Sequence, residues 1–235
     1  MNAREEILAR IAHSIVQQPD RDPDFIKVTG ENAIRTVANA QPIPWEYGRP
    51  TPMPDVTARF VERCRDYGAQ VDQIPSADVP QAIASVLTTF GLESVVLPPD
   101  LDPLWESAIS QAGIRTFSDD PPLSNTELNE IGGVVTAART AIAETGTIVL
   151  DHASDQGRRA LTLVPDFHLC VVTLDQIVSD VPEAVARLRP SIDAGRPLTW
   201  ISGPSATSDI ELQRVEGVHG PRTLVVIVEE HNGCG

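Results

Sequence analysis

Three short stretches of this chain gather residue types that do chemistry. In the first, Ala141-Ile142-Ala143-Glu144-Thr145-Gly146-Thr147-Ile148-Val149-Leu150, two apolar runs flank Glu144, Thr145 and Gly146. The pattern predicts a hairpin or a sharp strand bend. A carboxylate at such a bend, beside the backbone N–H groups of the turn, can act as base, nucleophile or ligand anchor. The same residues also make an ordinary turn whose glycine supplies backbone freedom. In the second stretch, Asp151 to Arg159 leads through Ala160–Val164 into Pro165-Asp166-Phe167-His168, which reads as a loop, a strand and a turn. Arg158 and Arg159 can hold an anion bidentately, or they can neutralise nearby Asp151 and Asp155. His168 opens the apolar run Leu169–Val172, where a histidine is more often structural than catalytic.

The third stretch runs from Ile201 through Gly203, Pro204, Ser205, Thr207, Asp209 and Glu211 to Gly217-Val218-His219-Gly220-Pro221-Arg222. A strand that ends in Gly-Pro-Ser at a helix start can receive an anion on its backbone N–H groups. The Gly-Lys-Ser/Thr ending of a P-loop is missing. Asp209 and Glu211 share a face only in an extended segment, and as metal ligands they need a partner such as His219. No zinc-type spacing is present, so no metal is expected. The alternative reading of this stretch is helix capping by Ser205 or Thr207 and a glycine turn at Gly220.

Positioning these residues is the task of the elements around them. Ile7, Leu8, Ile11 and Ile15 recur at helical spacing, so residues 3–18 read as a surface helix rather than a signal peptide. From Asp20 to Pro54 the period is lost and prolines accumulate around Trp45 and Tyr47, which predicts an extended arm. Helices over 56–67, 79–90 and 104–112 then alternate with strands over 70–74, 94–97 and 114–117, the rhythm of a parallel sheet. Gly68, Gly91 and Gly113 fall just past the expected helix ends, where a left-handed cap favours glycine. After Ser124 the pattern turns β-rich over 134–150 and 160–172, followed by a helix over 182–188 and strands near 198–201 and 223–228. The expected fold is α/β, with a mixed and mainly parallel sheet flanked by helices. Residues 1–54 form the N-terminal helix and proline-rich arm, 55–230 the α/β domain and 231–235 a tail.

Composition narrows the function classes. The 33 acidic and 18 basic side chains give a formal charge of −15, which argues against nucleic-acid binding. The longest aliphatic run, Leu224–Val228, is far too short to cross a membrane. Cys64, Cys170 and Cys234 contain no Cys-x-x-Cys pair, so neither a disulfide framework nor an iron-sulfur cluster is expected in this chain. A cytoplasmic protein is the natural reading.

Taken in this order, Ala141–Thr147 (AIAETGT), Gly157–His168 (GRRALTLVPDFH), Gly203–Glu211 (GPSATSDIE) and Gly217–Arg222 (GVHGPR) resemble the lactate-utilisation protein C family, the LUD-domain proteins. The resemblance implies a fold similar to the sugar-phosphate isomerase, CoA-transferase and formyltetrahydrofolate cyclo-ligase group. It also implies a non-redox role in oxidising L-lactate to pyruvate beside two iron-sulfur proteins of the same operon, with the clusters in those partners and a small anionic ligand or the partners bound here. Glu144 with Gly146 resembles the nucleophile arrangement of the related CoA-transferases, so a free-standing transferase or cyclo-ligase is a second reading. A regulatory or assembly protein is a third. The candidate site comprises Glu144 as catalytic residue, with Thr145, Gly146, Arg158, Arg159, His168, Gly203, Ser205, Thr207, Asp209, Glu211, His219 and Arg222 binding ligand.

Overall fold

Strands read as unbroken apolar runs only where both faces are buried, and Leu169–Val172 and Leu224–Val228 are such runs. A computed structural model describes residues 51–208, 214–216 and 220–230, all within the compact unit Tyr47–Gly235. The expected helix over 3–18, nearly all of the arm and the tail lie outside the described residues, as do Asp209, Glu211 and His219. Thr207 is described by its backbone alone.

In chain order, α1 (Val56–Asp66) leads to β1 (Gln70–Pro75), α2 (Val79–Thr89) to β2 (Ser94–Leu97) and α3 (Pro103–Gln111) to β3 (Arg115–Ser118). A short α4 (Asn125–Glu130) precedes β4 (Gly133–Ala137), the hairpin of β5 (Thr140–Ile142) and β6 (Thr147–Leu150), a 3₁₀ turn (Arg159–Thr162) and β7 (Phe167–Thr173). Then come β8 (Ile177–Val178), α5 (Val181–Asp193), β9 (Thr199–Ile201), the ribbon of β10 (Ala206–Ser208) and β11 (Arg214–Glu216), and β12 (Thr223–Glu230).

Six strands form one parallel sheet in the order β1-β12-β7-β4-β2-β3. A second sheet, β8-β5-β6-β9, is mixed: β5 runs parallel to β8, and β6 is antiparallel to both β5 and β9. The expected mixed, mainly parallel α/β architecture is therefore the one observed.

Alternate residues of the central strands serve opposite cores. Leu169, Val171, Val225 and Ile227 pack with Val79, Ile83 and Leu87 of α2 and Trp105 and Ile109 of α3. Cys170, Val172, Leu224, Val226 and Val228 pack with Phe60, Val61 and Cys64 of α1 and with Ala141, Ile148 and Leu150 of the hairpin. The second sheet is closed on its other side by Ala184 and Leu188 of α5, which meet Ile142, Val149 and Val178.

Local chemistry explains the helix ends. Asp55, Asp102 and Asp180 accept hydrogen bonds from the first-turn amides of α1, α3 and α5. The three expected cap glycines, Gly68, Gly91 and Gly113, all have positive φ.

Three expectations are corrected. The segment from Ala160 is not a strand until Phe167: Arg159–Thr162 is a 3₁₀ turn whose buried Leu161 joins Val96, Leu128 and Val134. Burial of one leucine, followed by Pro165, outweighs the β-like alternation. The chain after Gly203-Pro204-Ser205 enters β10 rather than a helix, so the expected helix start is not found there. Finally, α4 was absent from the β-rich reading, although Ser124 and Glu127 form a full capping box.

Gly146 is where the second sheet is tied to α1. Its φ is +60°, and a Cβ there would lie 2.7 Å from the Arg63 carbonyl carbon and 2.8 Å from the Cys64 nitrogen. Gly195 has a similar φ of +69° with nothing within 4 Å. Gly195→Ala should therefore cost only the backbone strain of about 1 kcal/mol, while Gly146→Ala, which adds a backbone clash, should cost at least about 3 kcal/mol. Urea unfolding of the two variants measures the difference.

Candidate functional site

His168 is the second residue of β7 and projects from the same face as Cys170 and Val172, toward the second sheet. It is 1 % exposed. Its Nε2 lies 2.8 Å from Thr136 Oγ1 on the neighbouring strand β4. Thr136 is two residues beyond Val134, the register partner of His168, and so falls on the same face. Burial, helped by the charge of Arg159, pushes the imidazole pKa down to about 3, so the ring is neutral at physiological pH.

The ring borders a cavity of about 140 Å³. Arg159 and Thr162 of the 3₁₀ turn form one side, Thr199 to Ser205 another, and Gly220, Pro221 and Leu224 at the start of β12 the rest. A space this size is smaller than the roughly 300–1,000 Å³ of drug-sized ligand pockets and fits a small molecule. Ser205 N–H donates to Pro221 O at 2.8 Å, which ties the loop after β9 to the mouth of β12. Gly203 is required by a close approach: with φ +82°, a Cβ would sit 2.7 Å from Tyr67 O.

The two neighbouring arginines have different fates. Arg158 donates through Nε and a terminal nitrogen to Asp119 at 2.6 and 2.9 Å and also to Leu123 O. Burial pushes the Asp119 pKa up, but the Arg158 hydrogen bonds, the Leu123 N–H and the Arg158 charge outweigh it and hold the carboxyl below its usual range. Arg159 has no carboxylate partner among the described residues and donates only to Thr162 O and Oγ1, both at 3.2 Å. The surrounding wall strips enough water from its guanidinium to pull the pKa below the ordinary value, yet the group stays charged. Neither arginine neutralises Asp151, which instead takes Ser191 Oγ at 2.6 Å, Arg196 at 3.2 Å and Arg139 at 3.8 Å.

Hydroxyls connect the hairpin turn to this cavity. Thr145 Oγ1 lies 2.7 Å from Thr147 Oγ1, which lies 2.7 Å from Ser202 Oγ on the cavity wall. Glu144 is exposed at the turn, with its N–H donating to Ser179 O at 3.0 Å. A second cavity of about 460 Å³ lies beyond the C-terminal ends of β2 and β3. Asp119, Asp120, His152, Arg158 and Leu161 line it, and Arg159 borders both spaces. Glu144 lines neither.

Of the sequence-selected residues, Arg159, His168, Gly203 and Ser205 meet around the smaller cavity. Thr145 reaches it through the hydroxyl chain, and Gly146 serves the packing on α1. Arg158 lines the larger cavity but is committed to Asp119. Arg222 stands 3.6 Å from Asp166 as an exposed surface pair. Sequence reasoning missed Thr136, Thr162 and Ser202. Thr136 had a signal, as a polar residue inside the apolar run Val134–Ala138.

A family model described as the LUD domain matches residues 57–228. The chain is 47 % identical over 197 residues to a lactate utilization protein C of Deinococcus radiodurans, covering 83 % of this chain and 90 % of that one. It is 25 % identical over 214 residues to the protein of the same name in Bacillus pumilus, covering 84 % and 88 %. Among solved structures it is similar to a DUF162 family protein from Deinococcus radiodurans, with a TM-score of 0.62 and 41 % identity over 74 % of this chain and 96 % of that one.

The buried neutral His168 sets a pH dependence. Below about pH 6.5 the unfolded chain takes up a proton that the folded imidazole refuses until about pH 3. The unfolded state then binds more protons, so stability falls as the pH drops. Between pH 7.5 and 5.0 this amounts to roughly 2 kcal/mol. Denaturant unfolding at the two pH values should show that loss, and His168→Gln should remove it.

Proposed function

The chain belongs to the LUD-domain family, and from that premise we propose that it is a non-redox component of a lactate-utilising system whose smaller cavity holds a small carboxylate. The observation that carries this reading is Arg159, a charged guanidinium at the cavity edge with no carboxylate partner among the described residues. In a chain of net charge −15, such a cation is available to an anion from outside. Guanidinium groups suit carboxylates through their planar fork of donors. Ser202, Thr162 and backbone around Gly203 supply further polar contacts on the walls.

The reading places electron transfer in iron-sulfur partner proteins. The thiols of Cys64 and Cys170 support this assignment: both are buried, and burial pushes each pKa up to about 12. Metal ligation needs a thiolate, which these positions disfavour. The names of the relatives from Deinococcus radiodurans and Bacillus pumilus support the lactate context.

Calorimetric titration of the purified chain with lactate and pyruvate tests the site. At least one should bind, and Arg159→Met should weaken binding by roughly 10- to 100-fold, as expected for loss of a charge-assisted hydrogen bond. Glu144→Gln should leave binding within about twofold, since Glu144 lines neither cavity. Loss of binding in Glu144→Gln with Arg159→Met unaffected would replace this reading with the nucleophile one. Lactate-dependent dye reduction by a mixture with the iron-sulfur partners should require this chain.

A further inference from the structure

The larger cavity, of about 460 Å³, stands at a place that the sheet topology marks. Strand β2 lies between β3 and β4. The chain leaves β2 for β3 on one side and returns to β4 on the other, and in open α/β sheets such a reversal leaves a ligand crevice beyond the C-terminal strand ends. The Asp151–Arg159 loop crosses that crevice. Asp100 N–H, just after β2, donates to Ser154 O at 3.3 Å, and Ala137 N–H, at the end of β4, donates to Asp155 O at 3.1 Å.

The loop is held in one shape. His152 has a φ of +55°, and among the described residues every other positive φ belongs to a glycine. Such backbone strain persists only where the surroundings impose it. The carbonyl of Gly157 can only accept, so His152 Nδ1–H donates to it at 2.8 Å, and Nε2 lies 2.8 Å from Thr199 Oγ1. Gln156 Oε1 takes the Asp151 N–H at 2.7 Å, and the fork of Arg158 on Asp119 fixes the far end. A wall ordered in advance lowers the entropy lost when a ligand settles on it.

The wall also has a definite chemistry. Pro99, Ala153, Leu161 and Pro197 make it apolar, and the volume lies within the roughly 300–1,000 Å³ of organic ligand pockets. Arg158 and Asp119 neutralise each other, which leaves Arg159 as the guanidinium on this wall without a carboxylate partner among the described residues. The exposed carboxylate of Asp120 opposes a second negative charge on the ligand. The two cavities adjoin, because Arg159 borders both and His152 of the larger one meets Thr199 of the smaller one.

We propose that the larger cavity is a second binding site, for an organic monocarboxylate whose apolar chain or ring extends well beyond three carbons, and that it shares Arg159 with the smaller cavity. The carboxylate meets the guanidinium, and the apolar body lies along the proline and leucine wall. One guanidinium then serves two anions that repel each other. Occupation of either site weakens the other, by the same factor in both directions. This inference rests on the reading that Arg159 holds a carboxylate, and not on what fills the smaller cavity.

Calorimetry on the full chain with the straight-chain acids from butyrate to octanoate tests it. Affinity should rise about fourfold for each added methylene, as expected for moving that group from water to an apolar site. Arg159→Met should weaken octanoate binding at least about tenfold. Pro197→Glu and Pro99→Glu, both at exposed positions, each put a carboxylate on the apolar wall and should abolish the rise with chain length. Saturating octanoate should lower the apparent affinity for whichever of lactate and pyruvate binds. A flat series, a rise that survives in either glutamate variant, or octanoate binding indifferent to Arg159→Met overturns the second site, and the smaller site still stands if lactate or pyruvate binds through Arg159. Small-acid affinity unchanged by octanoate overturns the sharing of Arg159. If octanoate binds through Arg159 and neither small acid binds, the smaller-cavity reading falls and the larger site stands.

Discussion

The inner strands of the parallel sheet are buried on both faces, and Phe167–Val172 of β7 and Leu224–Val228 of β12 have almost no side chain in contact with water. In such a place a polar group is tolerated only if its hydrogen bonds are met within the protein. His168 and Thr136 meet this condition together, across two adjacent strands, with Cys170 continuing the chain to a backbone carbonyl. The rest of the site is arranged around that satisfied polar line. The imidazole is held in the core by Thr136 and also borders the smaller cavity.

Close backbone approach does the remaining positioning. The C-terminal part of α1 receives the hairpin turn at Gly146 and the loop after β9 at Gly203, each at a distance that excludes a Cβ. These contacts hold two segments distant in sequence against the same helix end. Their consequence is the hydroxyl line from Thr145 through Thr147 to Ser202, which joins the turn to the cavity wall. The glycines of the motifs are therefore packing devices, and the hydroxyls beside them reach the cavity.

Electrostatics separates two residues that look equivalent on paper. Arg158 is consumed by Asp119, which follows β3 and lies 39 positions away in the chain. Asp151, the local candidate for that role, is satisfied by Ser191, Arg139 and Arg196 instead. Among the described residues Arg159 is left with Thr162 and the edge of a cavity. The difference between the two arginines is set by which carboxylates the fold brings near.

Much of this was legible in the residues themselves. Alternating helix and strand periods, unbroken apolar runs and glycines at helix ends are local signals, and they specify an α/β domain with a mainly parallel sheet because period and burial are coupled within a few residues. The three chemical stretches could also be read, and four of their residues converge on one cavity. The short 3₁₀ turn at Arg159–Thr162 could not, because its conformation depends on where Leu161 is buried. The strand after Ser205 likewise depends on pairing with a segment eight positions on. Which arginine lacks a carboxylate partner among the described residues, what the His168 ring bonds to, and why Glu144 lines neither cavity were decided only by the tertiary structure. Those properties belong to pairs of groups far apart in sequence, and their charges and hydrogen bonds acquire meaning only once the sheet has brought them together.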